Sequence, residues 1–258
     1  MPSIQPLLEH AAPYLLIVVR LSGLFIFAPM LSSRMVPVRV RALLTIMFAA
    51  AIYPALPSAL QVPPDADVFS LLPMVFTELL IGLIIGLIAS LPLMGMELAG
   101  MIMGHQMGMS IARAYNPEAD TDSEVIGQLS YYLGLGAFVS MGGLDALYLA
   151  VLRSFGRIPI GALGIDRIPL DTFVNILTAG FELALRVSAP VVCAIFLVMI
   201  AIGFVMKTMP QINVMSVGFA IKILCGLVTF GASLAVLDQV AGEEVGRVLR
   251  IVLDWAGT

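Results

Sequence analysis

LLPMVFTELLIGLIIGLIASLPLMGMELAGMIMGHQMGM, residues 71–109, is the stretch on which the fold turns. Its only ionisable residues are Glu78, Glu97 and His105, and nearly all the rest is apolar. A helix needs about 20 apolar residues to cross a bilayer, so this stretch is too long for a single crossing. It must be a hairpin, a kinked pair, or a helix extending beyond the lipid. Pro92 is a natural break point within it, because proline removes a backbone donor and crowds the preceding turn.

Further apolar blocks run from Ala11 to Met30, Ala42 to Leu60, Leu129 to Leu152, Phe173 to Met206 and Val214 to Leu237. The block from Phe173 is again too long for one crossing and contains Pro190. The other four suit one crossing each. Of the 258 residues, 60% are hydrophobic and 12% charged, and the mean hydropathy is +1.04. A soluble domain is usually about half apolar and about a quarter charged, so this chain calls for lipid as a second solvent. The fold class is an all-α membrane protein. A net charge of −4 without any basic run argues against a nucleic-acid partner.

The N-terminus does not read as a cleavable signal, since Glu9 precedes the first apolar block and Arg20 interrupts it. Residues 31–41 carry Arg34, Arg39 and Arg41, whereas residues 61–69 carry Asp65 and Asp67. The positive-inside rule places the first connection in the cytoplasm and the second outside. The arginines of residues 153–171 fall on the cytoplasmic side only if the block at Leu71 crosses twice. The end of the chain, from Asp238, sets Val240, Val245, Val248, Leu249, Val252, Leu253 and Trp255 against Glu243, Glu244, Arg247 and Arg250 at helical spacing. That pattern is an amphipathic helix, lying on a membrane surface or packed on a partner.

Arg20, Glu78, Glu97, Asp145, Glu182, Arg186 and Lys222 sit inside apolar blocks. A charge at mid-bilayer costs about 2.5–3.5 kcal/mol on insertion scales, so such groups face another helix or a wet cavity. Glu182 and Arg186 lie one turn apart and can pair on one face. Gly100, Gly104 and Gly108 form a small-residue stripe that permits close helix approach. Met94, Met96, Met101, Met103, Met107 and Met109 surround it. They read either as flexible packing filler or as a deformable seal around something that passes.

The following segment holds Asn116-Pro117 and the carboxylates Glu118, Asp120, Asp122 and Glu124. It lacks the register of a calcium loop and reads as a solvated acidic loop. HExxH, GxSxG, GxxxxGK[ST] and CxxC are all absent, so no enzyme, metal or cofactor chemistry is expected. His10 and His105 are far apart, and His105 reads as a polar residue hydrogen-bonded at a helix end. Cys193 and Cys225 read as inert buried side chains.

Specificity comes from residues 202–223, IGFVMKTMPQINVMSVGFAIKI, preceded by Ala189-Pro190-Val191-Val192. This run resembles the signature of the FliR family (with SpaR and YscT), export-apparatus components of bacterial type III secretion systems. Ser22-Gly23, Pro29, Pro37, Arg41 and Pro54 resemble the family's opening pattern, as does Gly100 to Gly108 followed by Tyr115-Asn116-Pro117. Ala220 and Asn116 depart from it, where the family often has Pro and Asp.

The resemblance implies long, kinked helical hairpins, with a FliP-like portion over 1–170 joined to a FliQ-like hairpin and amphipathic helix over 171–258. Phe76-Thr77-Glu78-Leu79, Gly82 and Gly86 are similar to a FliP helix. Thr208, Gln211-Ile212-Asn213 and Ile221-Lys222-Ile223 are similar to the FliQ hairpin. The implied function is a non-enzymatic part of a flagellar export gate in the bacterial inner membrane, at the basal body. It would join FliP-type and FliQ-type subunits, FlhB and FlhA in a hetero-oligomer that passes unfolded rod, hook and filament proteins.

In that family a plug loop, here near 105–122, closes the channel. The implied plug and gasket residues are Met101, Met103, His105, Gln106, Met107, Met109, Tyr115, Asn116 and Pro117. The implied assembly residues are Gly100, Gly104, Gly108, Glu182, Arg186, Pro190, Thr208, Pro210, Gln211, Asn213 and Lys222. A virulence injectisome protein is the nearest alternative. A small-molecule transporter is a more distant one, hinted at by the echo between Phe76-Thr77-Glu78-Leu79 and Phe181-Glu182-Leu183.

Overall fold

Backbone that meets lipid must satisfy its own hydrogen bonds, and a helix does so within one segment. In the computed structural model, residues 5–32, 36–56, 68–109, 125–160, 170–208 and 214–257 are described. They form α1 (Gln5–Phe27), α2 (Val38–Ile52) with a 3-10 turn (Tyr53–Ala55), and α3 (Val68–Met107). Then come α4 (Val125–Ser140), α5 (Gly143–Arg157), α6 (Leu170–Thr208) and α7 (Val214–Gly257). No strand occurs among the described residues.

The two over-long blocks are single helices. α3 has 40 residues and α6 has 39, each helical straight through Pro92 or Pro190. A helix rises ~1.5 Å per residue, so each is about 60 Å long. That is about twice the hydrocarbon thickness of a bilayer. Proline frees only one carbonyl of the ladder, and apolar turns on both sides carry the helix past it.

One block expected to cross once is broken in two. The block from Leu129 breaks into α4 and α5, bent by 64°. Gly142 makes the break, with a φ of 70° that favours a residue without Cβ. Asp145, expected inside an apolar block, stands exposed in the first turn of α5, where the helix dipole favours a carboxylate. Four helices, α2 with its 3-10 turn, α3, α6 and α7, are long and apolar enough to cross a membrane, or five spans if the bent pair is one.

The chain forms two units, and its long helices contribute to both. The first comprises Met1–Leu91, Gly142–Ile176 and Gly246–Thr258, and the second Pro92–Met141 and Leu177–Val245. In the first, α2 packs on α1 through Tyr14, whose hydroxyl donates to the Ile46 carbonyl at 3.0 Å, and through Phe25 beside Phe48. The amphipathic end of α7 is also here. Val248, Leu249, Val252 and Ala256 are buried, while Arg247 and Arg250 are exposed. Arg157 donates to the Trp255 carbonyl and lies 5.5 Å from its ring centroid. This helix therefore packs on its own chain.

The second unit is built around Met96, Met103 and Met107 of α3, Ile126 and Ala137 of α4, Leu183, Val187, Val191 and Ile195 of α6, and Phe230 and Leu237 of α7. The opposite faces are bare. Phe196, Leu197 and Phe204 of α6 and Leu224 and Val228 of α7 are exposed, and only 11% of an 18-residue apolar stretch within Phe173–Thr208 is buried. Apolar surface on that scale needs lipid or further protein to cover it.

Candidate functional site

In the first unit, Glu78, Gly82 and Gly86 lie on one face of α3 at successive turns. Arg20, Gly23, Leu24 and Ala28 line the matching face of α1. At each glycine the backbones touch. A Cβ on Gly82 would collide with the Arg20 carbonyl, one on Gly23 with the Leu79 carbonyl, and one on Gly86 would sit 2.7 Å from the Leu24 carbonyl. Such contacts let glycine Cα–H groups face carbonyl oxygens, a weak bond that recurs where membrane helices approach closely.

A buried charge closes that seam. Arg20 is 0% exposed and Glu78 1%. Arg20 Nε donates to Glu78 Oε2 at 2.5 Å, Nη1 to Ser154 Oγ at 2.9 Å, and Nη2 to the Ile158 carbonyl at 3.0 Å. The guanidinium also lies 4.0 Å from the Phe155 ring centroid. One side chain thus joins α1, α3, α5 and the residue that ends α5. Removing one partner of such a pair leaves an uncompensated charge, at a cost of about 3–5 kcal/mol. Both residues stand out in the sequence as intramembrane charges, but their pairing across 58 positions does not.

The second unit holds the candidate seal, and its glycine stripe separates into three roles. Gly100 is a close contact, where a Cβ would collide with the Ile126 carbonyl and lie 2.5 Å from the Gly127 Cα. Gly104 faces open space, with nothing within 4 Å of a Cβ. Gly108 ends the helix at a φ of 86°. Its N–H bonds the His105 carbonyl at 3.0 Å and the Met109 N–H bonds the Gly104 carbonyl at 3.1 Å, the two bonds of a Schellman turn. Small residues at i, i+4 and i+8 therefore do not make one stripe here.

The methionines separate too. Met103 and Met107 are wholly buried in the core of this unit, whereas Met101 and Met109 are half-buried. His105 and Gln106 are exposed, and His105 Nδ1 lies 2.8 Å from the Met101 carbonyl, at the helix end as expected. Tyr115, Asn116 and Pro117 lie outside the described residues.

Among the assembly candidates, Glu182 and Arg186 pair at 2.8 Å within one turn, 67% and 65% exposed. Pro190 and Thr208 are exposed, and Lys222 is half-buried. Pro210, Gln211 and Asn213 lie outside the described residues. Cys193, expected to be buried, is exposed on α6, and Cys225 is half-buried; both are free thiols. No group of His, Cys, Asp or Glu among the described residues is arranged to hold a metal ion.

The family described as "Bacterial export proteins, family 1" matches residues 11–248. The flagellar biosynthetic protein FliR of Bacillus subtilis (strain 168) is 30% identical over 87% of this chain and 86% of its own length. FliR of Escherichia coli (strain K12) is 26% identical over 91% and 89%. The Yop proteins translocation protein T of Yersinia pestis is 27% identical over 81% and 80%. These relatives bear the names of export and translocation proteins, not of enzymes. With a family match that takes in both the buried clasp and the glycine-rich end of α3, this membrane-embedded chain belongs to the bacterial export proteins, family 1.

Proposed function

We propose that the protein is a non-enzymatic subunit of the flagellar type III export gate in the bacterial inner membrane. It assembles there with FliP-type and FliQ-type subunits, FlhB and FlhA, and passes unfolded rod, hook and filament proteins. The observation that carries this reading is the family match over residues 11–248, with FliR of Bacillus subtilis similar over most of both chains. The portion 1–170 takes the FliP-like part and 171–258 the FliQ-like part.

Physical features support it. Helices about 60 Å long, with mostly bare apolar faces, are suited to neighbours of their own length beyond the lipid. Polar groups on those faces supply specificity. The Glu182–Arg186 pair is exposed among Phe181 and Leu185, and Lys222 has no ion pair among the described residues. A neighbouring carboxylate or carbonyl group satisfies Lys222, so Lys222→Ala weakens assembly with FliQ-type subunits. Recovery of those subunits at wild-type yield with the variant removes that claim.

The closed gate is sealed by the end of α3 and the segment after it, near 105–122. Because Met103 and Met107 are buried in their own unit, the seal falls to Met101, His105, Gln106 and Met109, with Tyr115-Asn116-Pro117 beyond. A conduit for any polypeptide must exclude ions without a charged filter, and soft apolar side chains suit that task. Deleting residues 110–121 raises ion conductance through the assembled complex in a planar bilayer. Unchanged conductance sinks the plug role.

A second reading has its own support: the Yop translocation protein T is as similar as FliR of Escherichia coli. It has the same mechanism with effector proteins as cargo. The neighbouring genes decide between the two, being flagellar rod and FlhB genes or needle and translocon genes.

A further inference from the structure

We propose that Gly226 is a positioning residue for the seal, holding the last turn of α3 in place by seating the Met107 side chain on its bare backbone. The inference rests on the seal reading above. Met107 is the last residue of α3 and is 0% exposed. It lies over Gly226 of α7. A Cβ there would stand 2.6 Å from its Cγ, 2.7 Å from its Cε and 3.0 Å from its Sδ. The whole thioether therefore occupies the space that any other residue at 226 would fill. Phe230, one turn along α7, belongs to the same buried cluster.

The residues beside Met107 give this contact its consequence. His105 and Gln106 precede it and are exposed, and the Schellman turn at Gly108 follows at once. The seal residues thus project from a helix end that a single buried side chain pins to α7. Methionine is unbranched and fits a slot over bare backbone, which a branched side chain does not. Several other glycines lack such a role. A Cβ on Gly231, on the same helix, or on Gly203 of α6 meets nothing within 4 Å.

The test compares single-complex ion conductance of the full assembled gate in planar bilayers, together with the yield of co-purified subunits. A methyl group on Gly226 displaces the Met107 side chain, so Gly226→Ala raises closed-state conductance about tenfold, while Gly231→Ala leaves it unchanged. Met107→Ala removes the anchored side chain itself and also raises closed-state conductance, and the double variant leaks no more than the leakier single change, because both remove the same contact. If Gly226→Ala does not assemble, Met107→Ala carries the test, a leaking gate supporting the contact and one as tight as wild type overturning it. A gate with Gly226→Ala as tight as wild type also overturns it, whereas deletion of 110–121 reports separately on the plug. A leaking Gly226→Ala gate beside a tight deletion keeps the socket and removes the plug loop.

Discussion

Two of the chain's arginine–glutamate pairs have opposite surroundings. Arg20–Glu78 joins α1 to α3 across 58 positions and is excluded from solvent. Glu182–Arg186 spans one turn of α6 and is about two-thirds exposed at both ends. The same ionic chemistry serves two purposes. The buried pair is one of four contacts around a single guanidinium and holds the seam of the first unit. The exposed pair satisfies itself locally and leaves both groups on a face that a neighbour can cover. The difference also weighs against a transporter built on repeated carboxylates, since Glu78 and Glu182 share a short sequence echo but no environment.

The largest test of the contrast is Glu78→Ala. It leaves Arg20 charged and buried, and should cost about 3–5 kcal/mol, read as lower thermal stability of the detergent-purified chain. The double change Arg20→Met with Glu78→Met should recover most of that loss, because replacing both members of a buried pair by apolar groups of similar volume is often neutral. A double variant no more stable than Glu78→Ala alone breaks the assignment of the pair as a self-contained clasp.

Next in size is the seam beneath it. Gly82→Ala places a methyl group against the Arg20 carbonyl, so the helices must part, at about 1–3 kcal/mol. Gly104→Ala, with open space around it, should be neutral or gain up to about 1 kcal/mol from helix propensity. Equal effects at the two sites, measured by the same melt, would show that backbone contact is not what distinguishes them.

The smallest effect belongs to the exposed pair. Glu182→Ala should cost the isolated chain about 0.3–0.5 kcal/mol, an amount lost in high salt, where exposed charges are screened. Its effect should appear instead in co-purification of partner subunits. If raising salt weakens the Arg20–Glu78 clasp as much as this pair, the contrast between buried and exposed charge fails.

What can be read in advance divides along the same line. The Glu182–Arg186 pair, the hydrogen bond of His105 to the carbonyl one turn back, and the apolar face of the chain's last helix are all legible by spacing. Each is settled within a turn or two of helix. Gly100, Gly104 and Gly108 mislead, because equal spacing says nothing about what stands opposite. One meets backbone, one meets nothing, and one ends the helix. The methionines mislead likewise, since composition cannot say which of Met101, Met103, Met107 and Met109 faces the core.

By itself the sequence determined that this protein is helical, that its solvent is partly lipid, and, through residues 202–223, which family it resembles. Hydropathy and helical period are local properties, and they survive whatever the chain packs against. Only the tertiary structure decided that α3 and α6 run unbroken past their prolines, that Arg20 finds Glu78, Ser154 and Ile158, and that Met107 lies on Gly226. Those outcomes depend on which distant backbone comes within contact distance, and no periodicity in a single segment carries that information.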